Sequence, residues 1–176
     1  MHRRDLLRLL GTGALLPFVP HTLEEAFRFG HAAHLAAERH GLEVLSPAQA
    51  EVVTTLADLI IPRTDTPGAS DVGVTGFIDH LLAAWYHDDE REHFLAGLAD
   101  FDRRAGGGFN ALPADRQTAL LETIDSAKGE PGSAEAEFAR LKALTVYGYF
   151  TAERVVKEVT REPVIPGRFD GCVRMT

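Results

Sequence analysis

Residues 133–159 read S-A-E-A-E-F-A-R-L-K-A-L-T-V-Y-G-Y-F-T-A-E-R-V-V-K-E-V, and this stretch decides the fold. Ser133 can accept hydrogen bonds from the first free amides of a helix, and Glu135 and Glu137 complement the positive end of the helix dipole. The pattern predicts one long helix from Ser133 to about Val159. In its middle, Leu144, Val146, Tyr147, Tyr149 and Phe150 wrap most of the circumference. A surface helix would show polar residues on its far side. This helix is therefore the centre of a bundle or a helix covered by another chain. Gly148 costs about 1 kcal/mol relative to Ala inside a helix, so another group is expected to approach its backbone closely.

Working outward, the rest reads as shorter helices joined by turn-rich loops. His21–His40 has helix-forming composition, with Gly30 disturbing its middle and Gly41 as a stop. Ser46-Pro47-Ala48-Gln49 is a capping box with proline at the first helical position. It opens a helix whose core face is Val52, Val53, Leu56, Leu59 and Ile60, and Pro62 stops it. Residues 62–73 form a loop in which Thr64 and Asp65 can bond nearby amides and Pro67-Gly68 suits a type II turn. Further helices carry Phe77, Ile78, Leu81, Leu82 and Trp85, then Phe94, Leu95, Leu98 and Phe101, then Leu120, Leu121 and Ile124. Gly106–Gly108 and Gly129–Gly132 break the chain between them, and Pro113 begins the third. No segment alternates as a half-buried strand does. The fold class is all-α: a single irregular bundle of about six helices over residues 21–161, followed by an extended tail.

That tail, residues 162–176, contains Pro163, Pro166, Gly167 and Gly171, yet also Val164, Ile165, Phe169 and Cys172. Large apolar groups on a segment that cannot fold by itself imply contact with the domain or with a partner. The other end, residues 1–20, carries Arg3-Arg4 ahead of an apolar run from Leu9 to Val19. A basic head followed by an apolar segment shorter than a membrane span is the layout of an export signal, here of the twin-arginine type. The alternative is an amphipathic first helix of the mature domain. The 176 residues hold 18 Lys plus Arg and 26 Asp plus Glu, a formal charge of −8. Removing residues 1–20 takes three arginines and one aspartate, leaving a net charge of −10. Such an acidic chain does not neutralise a phosphate backbone, so nucleic acid is not an expected partner. No apolar run is long enough to span a membrane, so membrane contact is expected only through a complex.

Catalytic signatures are sparse. His31 and His34 share a helix face, and His87 and His93 flank an acidic run, but neither pair has the further ligands of a metal site. The glycines at 106–108 follow no strand and match no nucleotide loop. The expected lists of catalytic, cofactor-binding and metal-binding residues are therefore empty. Cys172 is the one cysteine, which excludes an internal disulfide. In an exported protein it points to an interchain disulfide or to a free or buried thiol.

Four features together resemble the gluconate 2-dehydrogenase subunit 3 family, the small subunit of membrane-bound FAD-dependent gluconate and glucose dehydrogenases. They are Arg3-Arg4; the run Leu59-Ile60-Ile61-Pro62-Arg63-Thr64-Asp65-Thr66-Pro67-Gly68-Ala69 with Gly73-Val74 and Phe77-Ile78-Asp79; Tyr147-Gly148-Tyr149-Phe150-Thr151 with Glu153; and Pro166-Gly167-Arg168-Phe169-Asp170-Gly171-Cys172. The resemblance covers roughly residues 46–172. It implies a non-catalytic accessory subunit, with FAD in a large partner of the GMC oxidoreductase type and haem c in a third, multihaem cytochrome subunit. It implies that this chain stabilises the flavoprotein and carries it to the periplasm, or outer face of the cytoplasmic membrane, by the twin-arginine route. Cys172 would form an intersubunit disulfide, and Tyr147, Tyr149, Phe150 and Phe169 are the expected partner-binding aromatics. The competing expectation is a small exported metal-binding protein using the histidines, or an envelope adaptor without a dehydrogenase partner.

Overall fold

The computed structural model describes residues 22–160. Six long helices make up this region: α1 (Leu23–His40), α2 (Pro47–Ile60), α3 (Val74–Ala84), α4 (Asp88–Arg104), α5 (Ala114–Asp125) and α6 (Ala134–Thr151). Single 3-10 turns at Ser70–Val72 and Phe109–Ala111 link them, and there is no strand among the described residues. The fold is all-α.

α6 is the hub. It packs against α1, α2, α3, α4 and α5, and α1 lies in turn along α3. Leu141, Leu144, Val146, Tyr147 and Tyr149 are all buried, which is why the apolar residues of this helix run around its whole girth. Phe77 fills the space beside Gly148: a Cβ on that glycine would lie 2.7 Å from the Phe77 ring. The close approach implied by Gly148 is thus made by α3. The same logic keeps α1 unbroken across Gly30, where a Cβ would meet the Thr151 side chain at 2.5 Å. Glycine there brings two helices together and does not end one.

The helix starts follow the local chemistry. Thr22 and Ser46 form capping boxes with Glu25 and Gln49, and Ser133 caps α6 through the Ala136 amide. Four details differ from the sequence reading. The last helix does not continue to Val159: it stops at Thr151, because Ala152 is extended (φ −66°, ψ 131°). The chain then resumes as a helical turn at Glu153–Val155 and a π-helical turn at Val156–Thr160. The Thr151 hydroxyl, bonded back to the Tyr147 carbonyl at 2.9 Å, helps close the helix end. The reversal sends Val155 into the core with no exposure. Pro67-Gly68 is not a type II turn, since Gly68 lacks the positive φ that turn requires. Glycine is needed there for room, because a Cβ would sit 2.9 Å from the Arg63 amide nitrogen. Trp85 is not a core residue of α3. It follows the helix as its C-cap, 42% exposed, with its ring edge-on to Phe29 at 4.6 Å. Pro113 is the N-cap of α5, not its first residue.

Candidate functional site

Three sequence segments meet where α1, α3 and α6 cross. The first is the loop between α2 and α3. Its exposed tip is Pro62 to Asp65, and its base, Pro67 to Ala69, is buried. The base is held from several directions. Tyr149 Oη donates to the Pro67 carbonyl at 2.9 Å, and the Ala69 amide donates to Ile61 O at 3.0 Å. Asp71 accepts from the Gly68 amide at 2.8 Å and pairs with Arg63, and Asp58 accepts from the Ser70 amide. The tip is tied by the Thr64 hydroxyl, which donates to Asp65 at 3.0 Å. Such a loop loses little further freedom on meeting a partner.

The second segment is the middle of α3. Asp79 is fully buried, and its carboxylate accepts three backbone amides of the α1–α2 connection: Glu43 at 2.6 Å, Val44 at 3.1 Å and Leu45 at 2.7 Å. It clasps that connection onto the bundle, so its buried charge is matched by donors.

The third is the aromatic stretch of α6. Tyr147 Oη donates to Ala26 O at 2.6 Å. His34 on α1 reaches the same turn, with Nε2 2.7 Å from the Gly148 carbonyl and its ring stacked on Phe77 at 4.7 Å. Since a carbonyl only accepts, Nε2 carries the proton. Burial is the largest influence on His34 and holds its pKa below the usual histidine value, so the ring is neutral at neutral pH. Burial likewise raises Tyr147, and it pushes Tyr86 up to about 12 despite Arg140, whose guanidinium lies 5.2 Å over that ring.

At the far end of α6 a polar clamp joins α4. Asp100 accepts from the Ala134 amide at 3.0 Å and pairs with Arg103 and with Arg104, which also bridges to Glu135. Partial burial opposes ionisation of Asp100, but the Ala134 amide and the two arginines outweigh it, leaving its pKa below the usual carboxylate range.

The convergence leaves a half-open pocket of about 470 Å³. Its walls come from α1 (His31, His34, Leu35, Glu38), from the 61–73 loop and α3 (Asp71, Val72, Gly76) and from the helix break (Glu153, Arg154).

The structure spends Tyr147 and Tyr149, two of the sequence-predicted partner residues, on the chain's own core. Phe150 is only partly buried and packs edge-on to Tyr149 at 5.3 Å. Arg3, Arg4, Phe169 and Cys172 lie outside the described residues. The histidines do not assemble: His34 is bonded to Gly148, while His87 precedes α4, where its amide is held by Glu90. Among the described residues, no group of three or more His, Cys, Asp or Glu is placed to hold a metal ion, and no helix is long and apolar enough to cross a membrane. The sequence reading named Asp79 only as part of the family resemblance, without its structural role, and missed Glu38. The signal for the role of Asp79 was a carboxylate within the apolar run Phe77–Leu82; Glu38 gave none.

What the fold and site define is a helical protein whose buried polar groups serve its own architecture, with a loop and a pocket turned outward. A family model described as gluconate 2-dehydrogenase subunit 3 matches residues 47–167. The chain belongs to that family, and so to the subunits of a dehydrogenase complex. No curated protein and no solved structure matches it.

Proposed function

We propose that this chain is the non-catalytic small subunit of an exported, flavin-dependent sugar or alcohol dehydrogenase. The family match across residues 47–167 carries the reading. In this reading the flavin sits in a larger, GMC-type partner, and haem c in a third, cytochrome subunit. Two tasks follow. The chain covers apolar surface on the flavoprotein and stabilises it by mass action, by about 2.7 kcal/mol when present at a hundred times its dissociation constant. One twin-arginine signal at Arg3-Arg4 then exports both chains to the periplasm, because they are already folded together. Cys172 closes a disulfide to the large subunit.

Tagging the chain in its native host tests this. A stoichiometric larger chain with flavin absorbance is the expected co-purifying species, shifting together with this chain on non-reducing electrophoresis. Replacing Arg3 and Arg4 by Lys should hold both chains in the cytoplasm. A lone chain without flavin overturns the reading, and undiminished export of both chains overturns the carrier role.

A further inference from the structure

We infer that the pocket between α1, the 61–73 loop and the break at Ala152 receives an arginine side chain of the partner subunit, an inference that rests on the accessory-subunit reading above. The pocket wall presents acceptors. His34 is nine-tenths buried, its Nε2 proton is committed to Gly148 O and its face to Phe77. The remaining polar atom, Nδ1, is a lone-pair acceptor with no hydrogen-bond partner among the described residues. Glu38 lies one turn further along the same face of α1, as i,i+4 neighbours do, and is exposed. It has no ion-pair partner among the described residues, whereas the other charges are taken: Asp71 by Arg63, Glu153 by Lys157, Arg154 by Glu158.

With Asp71 and Glu153 paired to Arg63 and Lys157, Glu38 is the carboxylate of the lining left without a cation among the described residues. Leu35, 39% exposed, and Val72 supply apolar wall. The combination fits arginine: a stem that buries against apolar surface and a planar fork with five donors and no acceptor. Lysine, a compact and strongly hydrated charge, matches a lone-pair nitrogen beside a carboxylate less well. A space of about 470 Å³ admits one such side chain with water around it.

The test co-expresses the tagged full chain with the large subunit and measures the complex retained across a salt series. Glu38→Lys should weaken it about tenfold or more, with Glu38→Gln intermediate, as expected when one partner of a desolvated charge pair is altered. The melting temperature of the small chain alone should move little, since Glu38 is exposed and has no ion-pair partner among the described residues. With a photo-crosslinking residue in place of Leu35, the captured partner peptide should contain an arginine. Wild-type retention and salt sensitivity in Glu38→Lys would overturn the inference. So would capture of this chain's own residues 1–21 or 161–176. If the wild-type chain brings down no larger subunit at all, the accessory reading has failed, whatever the variants do.

Discussion

Replacing Asp79 is the sharpest test of the architecture. Its Oδ1 takes the Val44 and Leu45 amides and its Oδ2 takes the Glu43 amide, in a site with no solvent exposure. Hydrogen bonds to charged groups contribute about 1.5–3 kcal/mol each, and a buried donor left unsatisfied costs about 1–3 kcal/mol. Asp79→Asn keeps one carbonyl oxygen and so two of the three bonds, but turns an amide group towards the Glu43 N–H. Its expected cost is about 2–3 kcal/mol, the loss of one charge-assisted bond. Asp79→Ala loses all three acceptors. Glu43 and Val44 lie near enough to the surface to recover water, so the expected cost is about 3–5 kcal/mol rather than a threefold sum. At about 2–4 °C per kcal/mol for a chain of this size, the Asn variant should melt roughly 5–10 °C lower. Urea unfolding should show a lower midpoint with an unchanged slope. The reasoning fails if Asn costs as much as Ala, or if both lie within about 1 kcal/mol of the parent, where surface substitutions fall.

Gly148→Ala should destabilise despite the better helix former. The gain is about 1 kcal/mol, but Phe77 is wedged between His34 and Tyr147, so overpacking of about 1–3 kcal/mol wins; a higher melting temperature would contradict this. His34 makes stability pH-dependent. Its folded pKa is lowered, mainly by burial, so the unfolded chain takes up the proton first. Stability should be complete above about pH 6.5, the unfolded histidine value, and fall as pH drops through it towards the folded value. The slope between pH 7.5 and 5.5 should flatten in His34→Gln, and equal slopes would contradict it. Asp100, with its lowered pKa, should add stability above the ordinary carboxylate range and lose it as pH falls through its folded value. Asp100→Asn should therefore raise the pH at which acid unfolding begins.

Helix identity was legible because it rests on local rules. The capping boxes at Thr22 and Ser46, the cap at Ser133 and the glycine breaks act within one turn of chain. The role of α6 was half legible. An apolar girth is equally the mark of a central helix and of one covered by another chain, and only the packing of five helices around it decides. Helix ends set by tertiary contacts were not legible. Nothing local predicts the extended backbone at Ala152, which depends on Val155 finding a place in the core. Glycine was misread in the same way: Gly30 looked like a flaw and Gly68 like a turn, yet both are needed for close approach. The pocket joins residues more than a hundred positions apart in the chain, His34 and Arg154, and no periodicity reports such a meeting.

Among the described residues, those that carry the family resemblance converge in space although they are scattered in sequence. Pro67 receives the Tyr149 hydroxyl, Phe77 fills the gap at Gly148, Asp79 holds the α1–α2 connection, and Gly73 and Glu153 share one pocket. Each has a structural task at one junction: an acceptor for a buried donor, a ring against a bare backbone, a carboxylate for three amides. Tyr147, Tyr149 and Asp79 all aim at backbone, and each is satisfied there. What the junction holds in place is an exposed loop tip at Pro62–Asp65 and a pocket with Glu38 at its rim. A rigid interior behind a fixed polar outer contour is the arrangement that lowers the ordering cost of binding another protein. The resemblance and the geometry therefore bear on the same property, the shape this chain offers to the rest of its complex.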